Sequence, residues 1–222
     1  MTTLKFRLDN VNFPMVWVEK IKAYIHWIPV TKIQFEYFLC AVTDSHFNSN
    51  WYDEVLSLNP RITPSSVRAN NYWNALLSGI KPSEVQRYTR WCGPGYTIPT
   101  LDDWFAAYTF LKSLPTEPIS VIEQLEGMRE RTCQLLTHLD AATQTALTEA
   151  GYERTLADQM MMRLGLLEWV EYQRTGWGGM GEVNPRFHGM LFRPDDGKPS
   201  TPTNPEADRL KHYGFRLIWR EG

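Results

Sequence analysis

Cysteine is scarce in this chain of 222 residues, and its three copies, Cys40, Cys92 and Cys133, are odd in number and widely spaced. That excludes a disulfide framework and points to a reducing cytoplasm. No apolar run approaches the roughly 20 residues that span a bilayer, which excludes a membrane-spanning helix. The opening Met1-Thr-Thr-Leu-Lys-Phe-Arg lacks a basic stretch followed by an apolar one, so no secretory signal is expected. An excess of one charge is missing too: 23 Lys and Arg face 25 Asp and Glu, a formal net charge of −2. Nucleic acid as a partner normally demands a basic patch, so none is expected.

What the chain has in quantity is aromatic. Nine tryptophans and 13% aromatic residues, with 43% hydrophobic residues overall, are enough to fill a core of large rings. Fourteen Pro and fourteen Gly spread along the sequence punctuate many turns, so a loop-rich α+β domain covering 1–222 is expected.

Local signals place the elements. Apolar clusters over 4–28, among them Val16, Trp17, Val18, Tyr24 and Ile25, predict short strands. Thr31 followed by Gln34 is a capping box, with Val30 and Phe35 as a hydrophobic staple. Phe35, Phe38, Leu39 and Val42 then fall on one face of a helix. Residues 43–81 read as long structured loops with one or two short helical turns. A second helix is predicted from Pro82 to about Trp91, ended by Gly93-Pro94-Gly95. Thr100 and Asp103 cap a third, whose stripe is Trp104, Ala107, Tyr108 and Leu111. The stretch 120–165 reads as helical, with Ser120 and Glu123 as its cap and Ile122, Leu125, Cys133, Leu136 and Leu139 apolar. Gly151 and Gly165 look like helix ends. A closing strand with alternating side chains is predicted over 215–219.

Three stretches in order carry a resemblance. Ile28-Pro29-Val30-Thr31 leads into Phe35 and Phe38. Ile98-Pro99-Thr100-Leu101-Asp102-Asp103-Trp104 follows, and then Glu168-Trp169-Val170 with Gly214-Phe215-Arg216-Leu217 near the end. Together they resemble the entry helix, the Leu-Pro-Thr-Glu-Ala-Glu-Trp segment, the Glu-Trp-Val segment and the closing Gly-Phe-Arg-Leu of the formylglycine-generating-enzyme (sulfatase-modifying-factor) family. The resemblance implies a C-type-lectin-like fold, here with an inserted helical hairpin at about 113–164.

The same resemblance implies which chemistry has been lost. Catalytic members of the family use two cysteines in the C-terminal third to bind copper and activate oxygen, and no cysteine follows Cys133. Soft thiolates select Cu(I), so oxygen and ring side chains do not replace them. A related branch that makes sulfur–carbon bonds holds iron in a His-x3-His-x-Glu motif from an extra helical domain. His26, His46, His138, His188 and His212 do not have that spacing. Copper and iron are therefore not expected, and the chain reads as a degenerate member, a pseudoenzyme. Calcium, which relatives hold around the Glu-Trp-Val segment, stays open through Glu168, although Gly165 or Leu166 stands where an Asn is usual.

The function expected is recognition of a ligand or a protein, as a sensor, adaptor or variable binding protein in a bacterial defence or conflict system. The candidate surface is the C-terminal loop region 173–205. It carries Arg174, Trp177, Asn184 and Arg186, then Phe187, His188, Phe192 and Arg193, and Arg, Trp and Phe are common anchors at interfaces. The insertion is a second candidate, because Met160-Met161-Met162 could form an adaptable docking surface. Two further readings stay open. Cys92, before Gly-Pro-Gly, is either an exposed thiol or a packed small hydrophobe. An oxidoreductase with an atypical metal site would draw on His188 and His212 with Asp195, Asp196 or Asp208.

Overall fold

The computed structural model describes residues 4–114, 125–152, 155–160, 166–172, 184–188, 209 and 213–222; for Tyr172 and 184–188 only the backbone is described. The arrangement is mixed α+β, with strands at both ends of the chain and helices between them. The sequence 4–28 folds as expected into β1 (Phe6–Leu8), β2 (Pro14–Val18) and β3 (Ala23–His26). With β4 (Tyr96–Thr97) and β8 (Ile218–Trp219) they make a five-stranded antiparallel sheet in the order β1-β2-β3-β8-β4. One face of that sheet enters the core through Val16, Val18, Ala23, Ile25 and Ile218. The other carries a row of rings, because Trp17 lies opposite Tyr24, Tyr24 opposite Trp219, and Trp219 opposite Tyr96. The Arg7 guanidinium sits 3.6 Å above the Trp219 ring, a cation over a π face.

A second sheet has the order β6-β5-β7, from β5 (Leu167–Tyr172), β6 (Asn184–His188) and β7 (Tyr213–Phe215). β6 is antiparallel to β5 and β7 parallel to it. The expected closing strand over 215–219 is here two strands in two sheets. Phe215, Arg216, Leu217 and Ile218 are all buried, so the chain does not alternate in and out. It leaves one sheet at Phe215 and joins the other at Ile218, turning both intervening side chains inward.

The helices follow their caps. In α1 (Lys32–Ala41) Thr31 and Gln34 form the reciprocal capping box, and Phe35 and Phe38 are buried. In α4 (Leu101–Lys112) Thr100 and Asp103 do the same, burying Trp104, Ala107 and Leu111. α3 (Pro82–Cys92) starts on its proline and stops at Gly93, whose φ is +107°. The stretch 43–81 is more regular than its polar composition suggests. Asn48 caps a full helix, α2 (Ser49–Leu56), and 3-10 turns occupy Pro64–Ser66 and Tyr72–Ala75. The stretch 113–164 holds α5 (Glu130–Glu149), followed by Gly151 at φ +74°, and the short α6 (Leu156–Met160). Its predicted cap, Ser120 and Glu123, lies outside the described residues, as do Ile122, Met161, Met162 and Gly165.

The helices α5 and α6 are part of the core. Leu135, Leu136, Leu139, Leu156, Ala157 and Met160 all pack in the larger cluster with Trp104, Val16 and Ile25. A second cluster, richer in rings, gathers Phe35, Phe38, Trp51, Tyr88, Trp169 and Phe215. Among the described residues no helix is long and apolar enough to cross a membrane.

Gly214 shows why a closing segment of this kind needs glycine. A Cβ there would lie 2.4 Å from Leu166 Cδ1 and 2.9 Å from the Leu77 carbonyl oxygen, and the second neighbour is backbone that cannot turn away. Gly214→Ala is expected to destabilise the fold by about 1–3 kcal/mol, the usual effect of overpacking; urea denaturation followed by tryptophan fluorescence measures it.

Candidate functional site

The residues of the three resembling stretches meet in one buried polar network. Arg216 is fully buried and forms a two-point ion pair with Glu168, Nε to Oε2 at 2.7 Å and Nη2 to Oε1 at 2.6 Å. The Trp104 indole N–H donates to the same carboxylate at 3.2 Å. The remaining Arg216 nitrogen, Nη1, donates to the His26 carbonyl at 3.2 Å and to the Met160 carbonyl at 3.3 Å. A guanidinium with this many acceptors is a compensated buried charge. It joins the end of β3, the N-terminal part of α4, β5 and α6.

The network runs on through His26. Its Nδ1 accepts from the Leu217 N–H at 3.3 Å, so Nε2 carries the proton and donates to Asp9 Oδ2 at 3.1 Å. Gln34 Nε2 donates to the same oxygen at 3.1 Å, while the other Asp9 oxygen accepts from the backbone N–H of Val11 and Phe13. Gln34 is itself the capping partner of Thr31. Asp9 and His26 carried no motif signal, and only the fold brings them together.

Glu168, read from the sequence as an acidic ligand for calcium, therefore has both oxygens engaged by Arg216. A cation there would have to displace a guanidinium. Among the described residues no group of three or more His, Cys, Asp and Glu side chains could hold a metal ion. Of the sequence-derived candidates, Asn184, Arg186, Phe187 and His188 lie on β6, their backbones opposite Tyr172, Val170, Trp169 and Glu168. Arg174, Trp177, Phe192 and Arg193 lie outside the described residues, as do Asp195, Asp196, Asp208 and His212. Cys92 is buried at the end of α3. Burial, and then the negative charge of Asp9, push its thiol far up. That makes it a packed hydrophobe, because a reactive cysteine needs a lowered pKa.

A second buried acid organises the ring-rich cluster. Glu84 accepts from the Trp51 indole at 2.6 Å, from His46 at 3.1 Å and from the Lys81 N–H at 2.9 Å. Arg209 grips it at two points, 2.8 and 2.7 Å, and also reaches Glu54 and the Gly79 carbonyl. Burial works against ionisation of Glu84, but these donors together hold its carboxyl below the ordinary value. Arg209 thereby ties the C-terminal part of the chain to α2 and α3.

Beside this cluster opens a groove of about 800 Å³, within the range of small-molecule sites. Its floor is apolar, from Ile33, Phe35 and Leu39 on α1 and Trp51, Val55 and Leu56 on α2. The far wall is the segment 59–66. Asn59 pins that segment through bonds to the Val55 and Ser78 carbonyls and to the Ser78 N–H. At the rim stand Lys32, Arg61 and Arg131 with a single acid, Glu36. Lys32 donates to the Pro60 carbonyl at 2.7 Å. Burial pulls its pKa down from 10.5 to about 8, against the opposing pull of Glu36. Sequence reasoning missed this groove, since its walls are polar loop and helix surface that no motif marks.

Comparison of the chain with protein-family models, with curated proteins and with solved structures finds no match.

Two outcomes follow from these sites. Arg216→Met and Glu168→Gln should each destabilise by about 3–5 kcal/mol, because each leaves its partner buried and underpaired. The double change should fall short of the sum by at least about 1 kcal/mol, as coupled residues do. Chemical denaturation of the four proteins measures both quantities. For Lys32 the folded pKa, about 8, lies below the unfolded 10.5, so the unfolded state binds more protons between those values and stability rises with pH across that window. Lys32→Met should therefore exceed the parent below pH 8, by about 1 kcal/mol once solvent screening of the half-exposed amine is allowed for. The gap should close towards pH 10.5, as followed by denaturation over a pH series.

Proposed function

We propose that this chain is a non-catalytic binding module on a degenerate formylglycine-generating-enzyme-type, C-type-lectin-like fold, acting as a sensor or adaptor through a ligand or a protein partner. The observation that supports it best is the convergence of Trp104, Glu168 and Arg216 on one buried ion pair. Residues from the second and third resembling stretches serve there as structural ties, and Thr31 and Gln34 of the first join the same network. A chain that keeps such framework residues while having no cysteine after Cys133 has the family's scaffold without its copper ligands.

Several of the acids, bases and thiols that catalysis would draw on are committed to structural contacts in the described residues. His26 and Asp9 serve the main network, Glu84 and His46 serve Arg209, and the Cys92 thiol is buried and held protonated. Among the described residues the groove between α1, α2 and 59–66 is open to solvent and concave, and a smaller hollow of about 320 Å³ lies beside Thr89, Thr97 and Glu171. The exposed surface of α5 and the stretch 173–205, most of which lies outside the described residues, are the other places through which a protein partner would be held. The insertion contributes to the core, so its role in partner binding is tested by surface substitution rather than deletion.

Elemental analysis of the purified protein separates this reading from an oxidoreductase. The expected result is copper and iron far below one per chain. Stoichiometric amounts of either, with oxygen consumption in the presence of a thiol, would overturn it.

A further inference from the structure

The groove has a particular chemistry, and it narrows the class of occupant. Its floor and its rim differ sharply. The floor is built from the inward faces of α1 and α2, and the two large hydrophobic side chains that stay exposed among the described residues, Tyr52 and Leu56, both line it. Apolar surface on this molecule is thus drawn into a concavity rather than spread over a flat patch. A protein partner normally needs about 800 Å² on each side, and two exposed side chains do not supply that. A single aliphatic chain lying along the trough needs far less.

The rim carries Lys32, Arg61 and Arg131 against Glu36, an excess of positive charge around an apolar slot. Neither Arg61 nor Arg131 pairs with an acid among the described residues, and both are exposed. Lys32 is different: half-buried, it leans on the Pro60 carbonyl, feels the charge of Glu36, and among the described residues pairs with no carboxylate. A cation drawn out of water beside an apolar floor is stabilised by an anion arriving with the ligand.

We infer that the groove between α1, α2 and 59–66 binds a small amphiphile with an anionic head, a long-chain carboxylate, its tail along Ile33, Leu39, Val55 and Leu56 and its head at Lys32 and Arg61. The inference rests on the binding-module reading and names the ligand class. The groove is wide enough for it: about 800 Å³ exceeds the space a chain of a dozen carbons fills, and sites of this size bury most of such a ligand. Arg131, from the N-terminal turn of α5, places the insertion at the rim, so an occupied groove would be felt by that helix. A bound carboxylate would also lift Lys32 back from about 8 towards its ordinary 10.5, so binding above pH 8 should take up a proton.

The test uses dodecanoate, below its micelle-forming concentration, with dodecanol and dodecyltrimethylammonium as controls on the intact chain. Calorimetry should show one dodecanoate per chain, and both controls at least about tenfold weaker, the effect of roughly one missing charge-assisted contact. Lys32→Met should weaken dodecanoate at least about fivefold and leave dodecanol unchanged. Leu56→Glu, a change at an exposed position, should weaken both. A second measurement needs no variant: dodecanoate should slow alkylation of Cys40, which is exposed and lines the groove, and not of Cys133. Absence of dodecanoate binding, equal binding of the ammonium amphiphile, or unchanged Cys40 alkylation on binding would overturn the inference. Capture of a protein partner by a chain that ignores dodecanoate would end this inference and leave the binding-module reading standing. Stoichiometric copper or iron would end that reading whatever the amphiphile does.

Discussion

Arg216 and Glu168 hold opposite charges in a place that water does not reach, and most of the fold is arranged so that neither is left alone. A guanidinium buried without partners would be prohibitive. Here it meets a carboxylate at two points and the carbonyls of His26 and Met160. Each acceptor comes from a different part of the chain: β3, α6 and β5 have to be in position together for the charge to be tolerated. The position of Arg216 between β7 and β8 matters for the same reason. There the chain passes from the small sheet to the large one, so the pair acts as a rivet between them. Replacing such a buried pair whole can cost little, whereas removing one partner leaves an uncompensated charge.

The Glu84–Arg209 system repeats the device at the other core cluster. Glu84 gathers Trp51, His46 and the start of α3, and Arg209 closes over it from the C-terminal part of the chain. The two clusters so tied leave α1 shared between them, since Gln34 looks into the first network while Phe35 and Phe38 pack in the second. The groove is a consequence of that sharing. The face of α1 carrying Lys32, Ile33 and Leu39 is only partly covered, Ile33 by the first cluster and Leu39 by the second, and the 59–66 segment stands off it as the far wall.

Much of the element pattern was legible beforehand because helix caps and glycine stops are local devices. Thr31 with Gln34, Thr100 with Asp103, Pro82 at a first turn and Gly93 at an end act within a few residues. α2 escaped notice because its cap, Asn48, and its two buried residues, Trp51 and Val55, sit among polar neighbours that read as loop. The closing segment was misread as one alternating strand for a different reason. Alternation assumes one solvated face, and Arg216, which looks like an outward residue, turns inward to Glu168.

The sequence by itself determined the helix starts and stops, the chain's want of a disulfide framework, and that no cysteine follows Cys133 in it. All of these depend on residue type and short spacing. Only the tertiary structure decided that Glu168 answers Arg216, that Asp9 answers His26, that Cys92 is buried and that Lys32 stands at the rim of an apolar groove. Those outcomes depend on which surfaces meet across 17 to 48 residues or more, and on how much water is left between them.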